Sequence, residues 1–207
     1  ARVLIVNTYA IRPEEGARVE DWAHPLQRGR PTVARPLTGT TLTHFATLFD
    51  VLGAEETLDL LERIVANDTH LLGGNGQVMR MVREGRAAFG LTDTDDYNVA
   101  REEGFPVAAV YPDQGDVGAL VIPNTVAILA DAPHPEAARR FVDWVLSPVV
   151  EAELAASRSA QIPVRADVPR PDHVSSASEC EVMSADFAAA ARALSARSRR
   201  FHEMFRQ

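Results

Sequence analysis

The sequence has little or none of several residue types, and each shortage excludes a class of structure or function. Lysine is absent, so all 21 basic residues are arginines, and the 29 acidic residues leave a net charge of −8. This negative balance gives no electrostatic basis for binding nucleic acid. The single cysteine, Cys180, excludes an internal disulfide bond and a metal site built from cysteines. No apolar run approaches the roughly 20 residues that a membrane-spanning helix needs.

The remaining composition is that of an ordinary globular protein, with 46% hydrophobic and 24% charged residues. At 207 residues the chain is long enough for one well-packed core or for two small lobes. Ala1 leads directly into the apolar run Arg2–Val6, which predicts a buried strand and not a secretory signal. We therefore expect a fragment or a processed product, and the missing signal is not taken to indicate a cytoplasmic protein.

A short apolar strand followed by acidic residues is the most informative stretch. Residues 87–91 (AAFGL) predict a buried strand, residues 92–97 (TDTDDY) a polar turn, and the residues from Asn98 onward a helix. Ligands of open α/β sheets bind just beyond the carboxyl ends of the strands. The turn is therefore a candidate site, with a polar cap and a solvated loop as the plain alternative. Its candidate residues are Asp93, Asp95, Asp96 and Tyr97.

Two further polar turns precede predicted helices. Residues 38–41 stand before a helical pattern over 42–52, and residues 73–76 stand before another over 77–84. Free backbone N–H groups and the helix dipole make such turns suited to anions, although neither contains the Gly-Lys-Ser/Thr of a nucleotide-binding loop. A plain threonine N-cap is the alternative for the first turn. The candidate residues are Thr38, Gly39, Thr40, Thr41, Asn75 and Gly76.

The rest of the chain reads as alternating strands and helices. Strands are expected at 1–6, 31–35 and 105–111, with a long β run over 119–129, and helices at 55–67, 135–146, 148–157 and 185–205. Ala138, Phe141, Val142 and Val145 are expected to face inward from the helix at 135–146. The six histidines are scattered without metal-ligand spacing, and His44 is interpreted as a packing or surface residue.

Six stretches, taken in order, carry a family resemblance. They are Arg2–Asn7, Leu37–Leu48, Asn75–Asp96, Val110–Leu129, His134–Pro148 and Gln161–Arg165. Together they resemble the carboxyl-terminal two-thirds of a bacterial ABC-transporter solute-binding protein of the ferric-iron type, which belongs to the extracellular solute-binding proteins.

This resemblance implies an α/β, type II periplasmic-binding-protein fold: a three-layer lobe with a mainly parallel sheet, plus part of a second lobe. Residues 1–116 would form the ligand-binding lobe, 117–129 a hinge strand, 130–160 helices of the incomplete first lobe, and 161–207 a segment that returns to the ligand-binding lobe. Phe141, Trp144 and Val145 would then lack part of their packing partner. We accordingly expect a dimer or a swapped oligomer.

The resemblance also assigns residues. The family's anion-binding Ser-Gly turn matches residues 38–40, and its cleft asparagines fall on Asn75 and Asp93. The adjacent tyrosines that hold iron fall on Asp95 and Asp96, while Tyr97 lies one place late. Carboxylates suit a hard cation as phenolates do, so these three residues are candidate metal ligands. A changed ligand is the alternative.

By resemblance, the function is solute binding for an ABC import system, at a periplasmic or membrane-anchored extracellular location, with an ABC permease as partner. The cargo would be a metal ion, such as Fe³⁺ with a synergistic oxyanion, or a small polar solute. Neither catalysis nor a resident cofactor is expected. Two alternatives are a hydrolase, metal-dependent or using Asp95 and Asp96 as an acid–base pair, and a ligand-sensing module of the same fold.

Overall fold

A five-stranded sheet with the order β3-β2-β4-β1-β5 is the centre of the computed structural model, which describes residues 1–205. Its strands are β1 (Arg2–Asn7), β2 (Pro31–Ala34), β3 (His70–Leu72), β4 (Phe89–Asp93) and β5 (Val107–Val110). β2 pairs in parallel with β3 and β4, whereas β1 pairs antiparallel with β4 and β5. All strands except β1 therefore run in one direction, as expected for a mainly parallel α/β lobe.

Residues 1–205 contain eight α-helices. They are α1 (Gly39–Val51), α2 (Ala54–Ala66), α3 (Asn75–Arg83), α4 (Thr94–Glu102), α5 (Pro135–Val145), α6 (Pro148–Ala156), α7 (Phe187–Ser195) and α8 (Ser198–Phe205), with 3₁₀ turns at Pro13–Gly16, Val19–Ala23, Pro25–Gln27 and Ala177–Glu179. Within residues 1–205, no helix has the length and apolar character needed to cross a bilayer.

The alternation of side chains along β1 produces the three layers. Leu4 and Val6 pack into the core formed with α1, α2 and α8, whereas Ile5 points to the opposite face and packs with α3 and α4. Both faces of the strand are thus buried. The sandwich of helices, sheet and helices agrees with the lobe architecture expected from the sequence.

Gly90 sets how closely the elements next to the candidate site approach each other. A Cβ atom added there would lie 2.6 Å from the backbone oxygen of Thr32 and 2.6 Å from Cγ1 of Val78. Such a contact is impossible, so only glycine lets α3 pack this tightly over β2 and β4. The close packing brings the first residue of α3, Asn75, beside the carboxyl end of β4.

Helix α4 begins four residues earlier than expected. It was predicted from Asn98, but Thr94 is its first residue and Asp93 is its N-cap. The first turn of a helix exposes free N–H groups and the positive end of the dipole, which stabilise Asp95 and Asp96. The two carboxylates consequently stand on a helix and not in a loop.

The predicted strand over 119–129 is wrong. Within the described residues only Ala119 forms a β-bridge, to Val182, and Val126, Ile128 and Leu129 are exposed. A strand requires a neighbour that accepts and donates its backbone hydrogen bonds. Apolar composition predicted the extended conformation, but within residues 1–205 only Ala119 and Leu120 of this run have backbone partners in distant segments, and residues 121–129 join no described strand. The hinge role expected for 117–129 stays a prediction.

Helix α5 leaves its apolar stripe exposed. Phe141 is 56% exposed and Trp144 is 57% exposed, and no side chain of α5 is buried. Their rings contact each other, with centroids 5.9 Å apart. The helical spacing was predicted correctly. The inward orientation is wrong for Phe141, whereas Ala138, Val142 and Val145 are half-buried. The described part of the chain therefore covers this face only in part.

The carboxyl-terminal helix predicted over 185–205 is two helices. α7 ends at Ser195 and α8 begins at Ser198. The break lets α7 pack beside α1, while Phe201 and Phe205 of α8 enter the main core. Both phenylalanines are buried, whereas Phe187 at the start of α7 is 40% exposed.

Candidate functional site

The three polar turns meet at one edge of the sheet. Asp93 ends β4, Thr40 lies in the first turn of α1, and Asn75 begins α3. The Oδ2 atom of Asp93 accepts hydrogen bonds from Thr40 Oγ1 at 2.8 Å and from Asn75 Nδ2 at 2.7 Å. Residues that lie 53 and 18 positions from Asp93 in sequence thus join in one polar cluster.

Arg2 is the component of this cluster that sequence reasoning missed. Its side chain is 0% exposed, and its Nη1 atom donates to Asp93 Oδ1 at 2.9 Å. Nη1 also donates to Thr40 Oγ1, and Nη2 donates to Thr41 Oγ1, each at 3.1 Å. Burial lowers the pKa of Arg2 and the Asp93 carboxylate opposes that shift, but an arginine keeps its proton in either case. The site therefore contains a buried, permanent positive charge.

The amide of Asn75 is oriented by Thr41. Thr41 Oγ1 donates to Asn75 Oδ1 at 3.0 Å, so the opposite end of the amide, Nδ2, points to Asp93 and to Thr40 Oγ1, 2.8 Å away. The Thr40 hydroxyl accepts from Arg2 and Asn75 and donates to Asp93. One donor and two acceptor positions are all that a hydroxyl has, so the network is complete at Thr40.

Three half-buried carboxylates lie next to this network. Asp93, Asp95 and Asp96 each place an oxygen within 4.8 Å of the others. Thr92 Oγ1 donates to Asp96 Oδ2 at 2.7 Å, whereas no hydrogen bond among the described residues restrains Asp95. Burial raises the pKa of Asp96, and the neighbouring Asp95 and Asp93 add to that rise, while the Thr92 hydrogen bond opposes it. Clustered carboxylate oxygens of this kind suit a hard cation.

The other sequence-predicted residues lie around this centre. Thr38 is the N-cap of α1, is exposed, and makes no capping hydrogen bond. Gly39 has a φ of 66°, in the left-handed region that favours glycine. A Cβ on Gly76 would lie 3.7 Å from Asp96 Oδ1, so this residue borders the carboxylates. Tyr97 instead lines a separate cavity of about 200 Å³ with Tyr111.

His44 lies behind the polar cluster and is fully buried. Neither of its ring nitrogens has a hydrogen-bond partner within residues 1–205, and the ring packs edge-on against Phe45. Burial, with the charge of Arg2 acting in the same direction, lowers the pKa of His44 to about 3. This environment agrees with the packing role expected for His44 and holds the ring neutral.

Comparison with known families and proteins agrees with the resemblance seen in the sequence. A family model described as "Bacterial extracellular solute-binding protein" matches residues 19–182. Iron uptake protein A1 of Synechocystis sp. is 28% identical over 188 residues, which are 86% of this chain and 52% of that protein. The chain therefore spans about half the length of this curated relative.

Solved structures show the same fold. Iron-bound HitA from Pseudomonas aeruginosa matches with a TM-score of 0.81 and 26% identity, over 94% of this chain and 64% of that chain. The periplasmic binding protein AfuA from Actinobacillus pleuropneumoniae, with fructose-6-phosphate bound, matches with a TM-score of 0.79 and 18% identity, over 99% of this chain and 66% of that chain. These two proteins carry different molecules, so the shared fold does not by itself identify a ligand.

Proposed function

The chain belongs to the bacterial extracellular solute-binding proteins, and we propose that it forms the ligand-binding lobe of the solute-binding component of an ABC import system. The proposed cargo is a metal ion, held by Asp93, Asp95 and Asp96. The observation that carries this proposal is the proximity of the three carboxylates, each with an oxygen within 4.8 Å of the others at the carboxyl end of β4.

The charge balance of the site favours a cation. Arg2 forms an ion pair with one of the three carboxylates, whereas those of Asp95 and Asp96 form no ion pair with an arginine among the described residues. Carboxylates this close repel one another, so their ionised forms are stabilised when a cation binds between them. Fe³⁺ is the first ion to test, because one similar protein is Iron uptake protein A1 and another, HitA, has iron bound. In this proposal Asp95 and Asp96 take the place of the two tyrosines expected from the family.

The proposal also includes a cellular location and a partner protein. The family is described as extracellular, and we propose a periplasmic or membrane-anchored location, with delivery of cargo to an ABC permease. The family is one of binding proteins, so catalysis by Asp95 and Asp96 is not favoured. The alternative, a ligand-sensing module, would use the same site. A permease gene beside the gene for this chain would favour the transport role over the sensing role.

Cation binding is expected to raise the melting temperature of the chain. A ligand present at 100 times its Kd adds about 2.7 kcal/mol to the free energy of unfolding, or roughly 5–10 °C for a chain of this size. Thermal unfolding would be measured with Fe³⁺ citrate, Mn²⁺, Zn²⁺ and Ca²⁺. The double variant Asp95→Asn/Asp96→Asn should lose the shift, because each substitution removes a charged oxygen ligand.

The matched control for this experiment is Asp68→Asn. Asp68 also forms an ion pair with an arginine, Arg28 at 2.7 Å, but on the exposed surface away from the cluster. It should keep the full response to the cation. A wild-type chain that responds to none of the cations, or a double variant that responds as the wild type does, would contradict the proposed cargo.

The exposed face of α5 leads to a proposal about association. We propose that a second copy of the chain covers Phe141 and Trp144 in solution, since exposed aromatic stripes of this kind associate. Sedimentation equilibrium should show a dimer for the wild type and a monomer for Phe141→Ser/Trp144→Ser. Leu26→Ser is the control, because Leu26 is 78% exposed on a different segment. A wild-type monomer at high micromolar concentration would rule the dimer out.

A further inference from the structure

The position best suited to an anion in this protein is already filled by Asp93. The N-terminus of the 13-residue helix α1 supplies the Thr40 and Thr41 hydroxyls, α3 supplies the Asn75 amide, and β1 supplies the buried guanidinium of Arg2. A helix N-terminus with hydroxyl, amide and guanidinium donors is the arrangement that binds oxyanions. Here Arg2, Thr40 and Asn75 converge on a carboxylate of the chain itself, while Thr41 bonds to Arg2 and Asn75.

Both oxygens of that carboxylate are engaged. Oδ1 accepts from Arg2 Nη1 at 2.9 Å, while Oδ2 accepts from Thr40 at 2.8 Å and from Asn75 at 2.7 Å. These lengths are typical of charge-assisted hydrogen bonds. A phosphate or carbonate arriving from solution would have to compete with Asp93 for every one of these donors.

The surroundings oppose such an exchange. The oxygens of Asp95 and Asp96 lie within 4.8 Å of an Asp93 oxygen, so an external oxyanion would be held against two further negative charges. Displaced Asp93 would also lose its ion pair with Arg2, which is fully buried and forms an ion pair with no other carboxylate among the described residues. Removing one member of a buried ion pair is costly.

We propose that Asp93 is the built-in counter-anion of this site, so that the site takes a cation without a bound oxyanion. Asp93 would then determine specificity in two ways: it excludes phosphate-like anions, and it leaves the one remaining lone pair of Oδ1 to the cation. This inference rests on the proposed function for the cation. In this inference Asp93 takes the place of the synergistic oxyanion that was expected at Thr38–Thr41.

The exclusion of anions is tested on the free protein with inorganic phosphate, in a buffer that contains a chelator and no metal. The wild type should show no change in melting temperature with phosphate. Asp93→Asn leaves the charge of Arg2 without a counter-ion and should bind phosphate at least about tenfold more tightly, with a rise in melting temperature of several degrees. Asp93→Ala should respond in the same way, because it vacates the position entirely.

Asp68→Asn serves again as the control, because it unpairs an exposed arginine and should leave the protein insensitive to phosphate. Two results would overturn the inference: a wild type that binds phosphate as tightly as Asp93→Asn, or a folded Asp93→Asn that ignores phosphate. Circular dichroism establishes that each variant is folded. Because these measurements contain no metal, they remain decisive even if the chain binds no cation.

A second measurement uses only the wild type and decides the question if the Asp93 variants do not fold. The affinity for the best cation of the panel is measured with and without 10 mM phosphate, a concentration on the order of those that saturate weak anion sites. We expect the two affinities to agree within about twofold. A gain of about tenfold or more with phosphate would show that an external anion completes the site, and would overturn the inference.

Discussion

Replacing Arg2 by methionine is expected to lower the free energy of unfolding by about 3–5 kcal/mol, because it leaves a carboxylate without its buried partner. Arg2 is 0% exposed and the side chain of Asp93 is 22% exposed, so solvent compensates little for the loss. Methionine keeps an unbranched apolar chain in the space of the arginine stem. Urea unfolding at pH 7 measures the change.

A double-mutant cycle separates the ion pair from the packing of its members. Arg2→Met/Asp93→Asn leaves neither charge unpaired, so it should be less destabilised than the sum of its single variants, with a coupling of about 2 kcal/mol or more. The control cycle is Arg28→Met/Asp68→Asn, an exposed pair whose coupling should stay below about 1 kcal/mol. Additive effects at Arg2 and Asp93 would mean that the pair does not hold the site together.

Replacing His44 by leucine is expected to raise the free energy of unfolding by about 1–3 kcal/mol at pH 7. The imidazole is buried with both ring nitrogens unpaired, and a buried polar atom without a partner costs that amount relative to an apolar group of similar volume. Thermal unfolding at pH 7 measures the gain. A lower melting temperature for His44→Leu would show that the imidazole makes a stabilising interaction.

The same substitution should change how stability depends on pH. The pKa of His44 is about 3 in the folded protein, against 6.5 as its ordinary value. Between these values the unfolded chain binds more protons, so the histidine lowers stability as pH falls, by up to about 1.4 kcal/mol per unit. His44→Leu removes this loss, which amounts to roughly 2 kcal/mol by pH 5.

Asp113 has the opposite effect on stability, in a pH range that overlaps that of His44. Burial raises its pKa from 3.8 to about 6, opposed by the hydrogen bond from Val19, so its contribution is fully present below pH 3.8 and is lost as pH rises through 6. In the wild type, the loss of stability that His44 causes as pH falls is partly offset by the gain that Asp113 causes. Melting temperatures of His44→Leu measured from pH 4 to 8 should therefore rise relative to the wild type as pH falls. The control His134→Ala, which removes an exposed histidine, should show the same dependence of melting temperature on pH as the wild type. If the curve for His44→Leu also ran parallel to that of the wild type, it would contradict the lowered pKa of His44.

Local patterns in the sequence predicted most of the elements but few of the contacts between them. The helix expected at 55–67 is present, with Leu58, Leu61 and Ile64 buried on one face, and the turns at 38–41, 73–76 and 92–97 had each been predicted as a candidate site. Arg2 was missed because its partner lies 91 residues away in sequence, and only the antiparallel register of β1 with β4 places it opposite Asp93. A periodic pattern contains no information about register between distant strands.

The errors have a common physical origin. The run 119–129 is apolar enough for a strand, and α5 has a clear apolar stripe. Apolar residues show that packing against another element would be favourable, but not that such an element is present. The early start of α4 is a different error. There Asp93 occupies the N-cap position without a side-chain capping hydrogen bond, and the acidic residues of the following turn, Asp95 and Asp96, suit the first turn of a helix.

The three carboxylates differ in freedom of movement, and this difference has a kinetic consequence. Asp93 is held by three donors and Asp96 by Thr92, whereas Asp95 has no restraint of this kind among residues 1–205. Restrained ligands lose little entropy when an ion binds, and their fixed separation discriminates between ionic radii. An unrestrained ligand can swing outward to meet an arriving ion and can leave first when the ion departs. In this arrangement Asp93 and Asp96 would select the ion, and Asp95 would set its residence time.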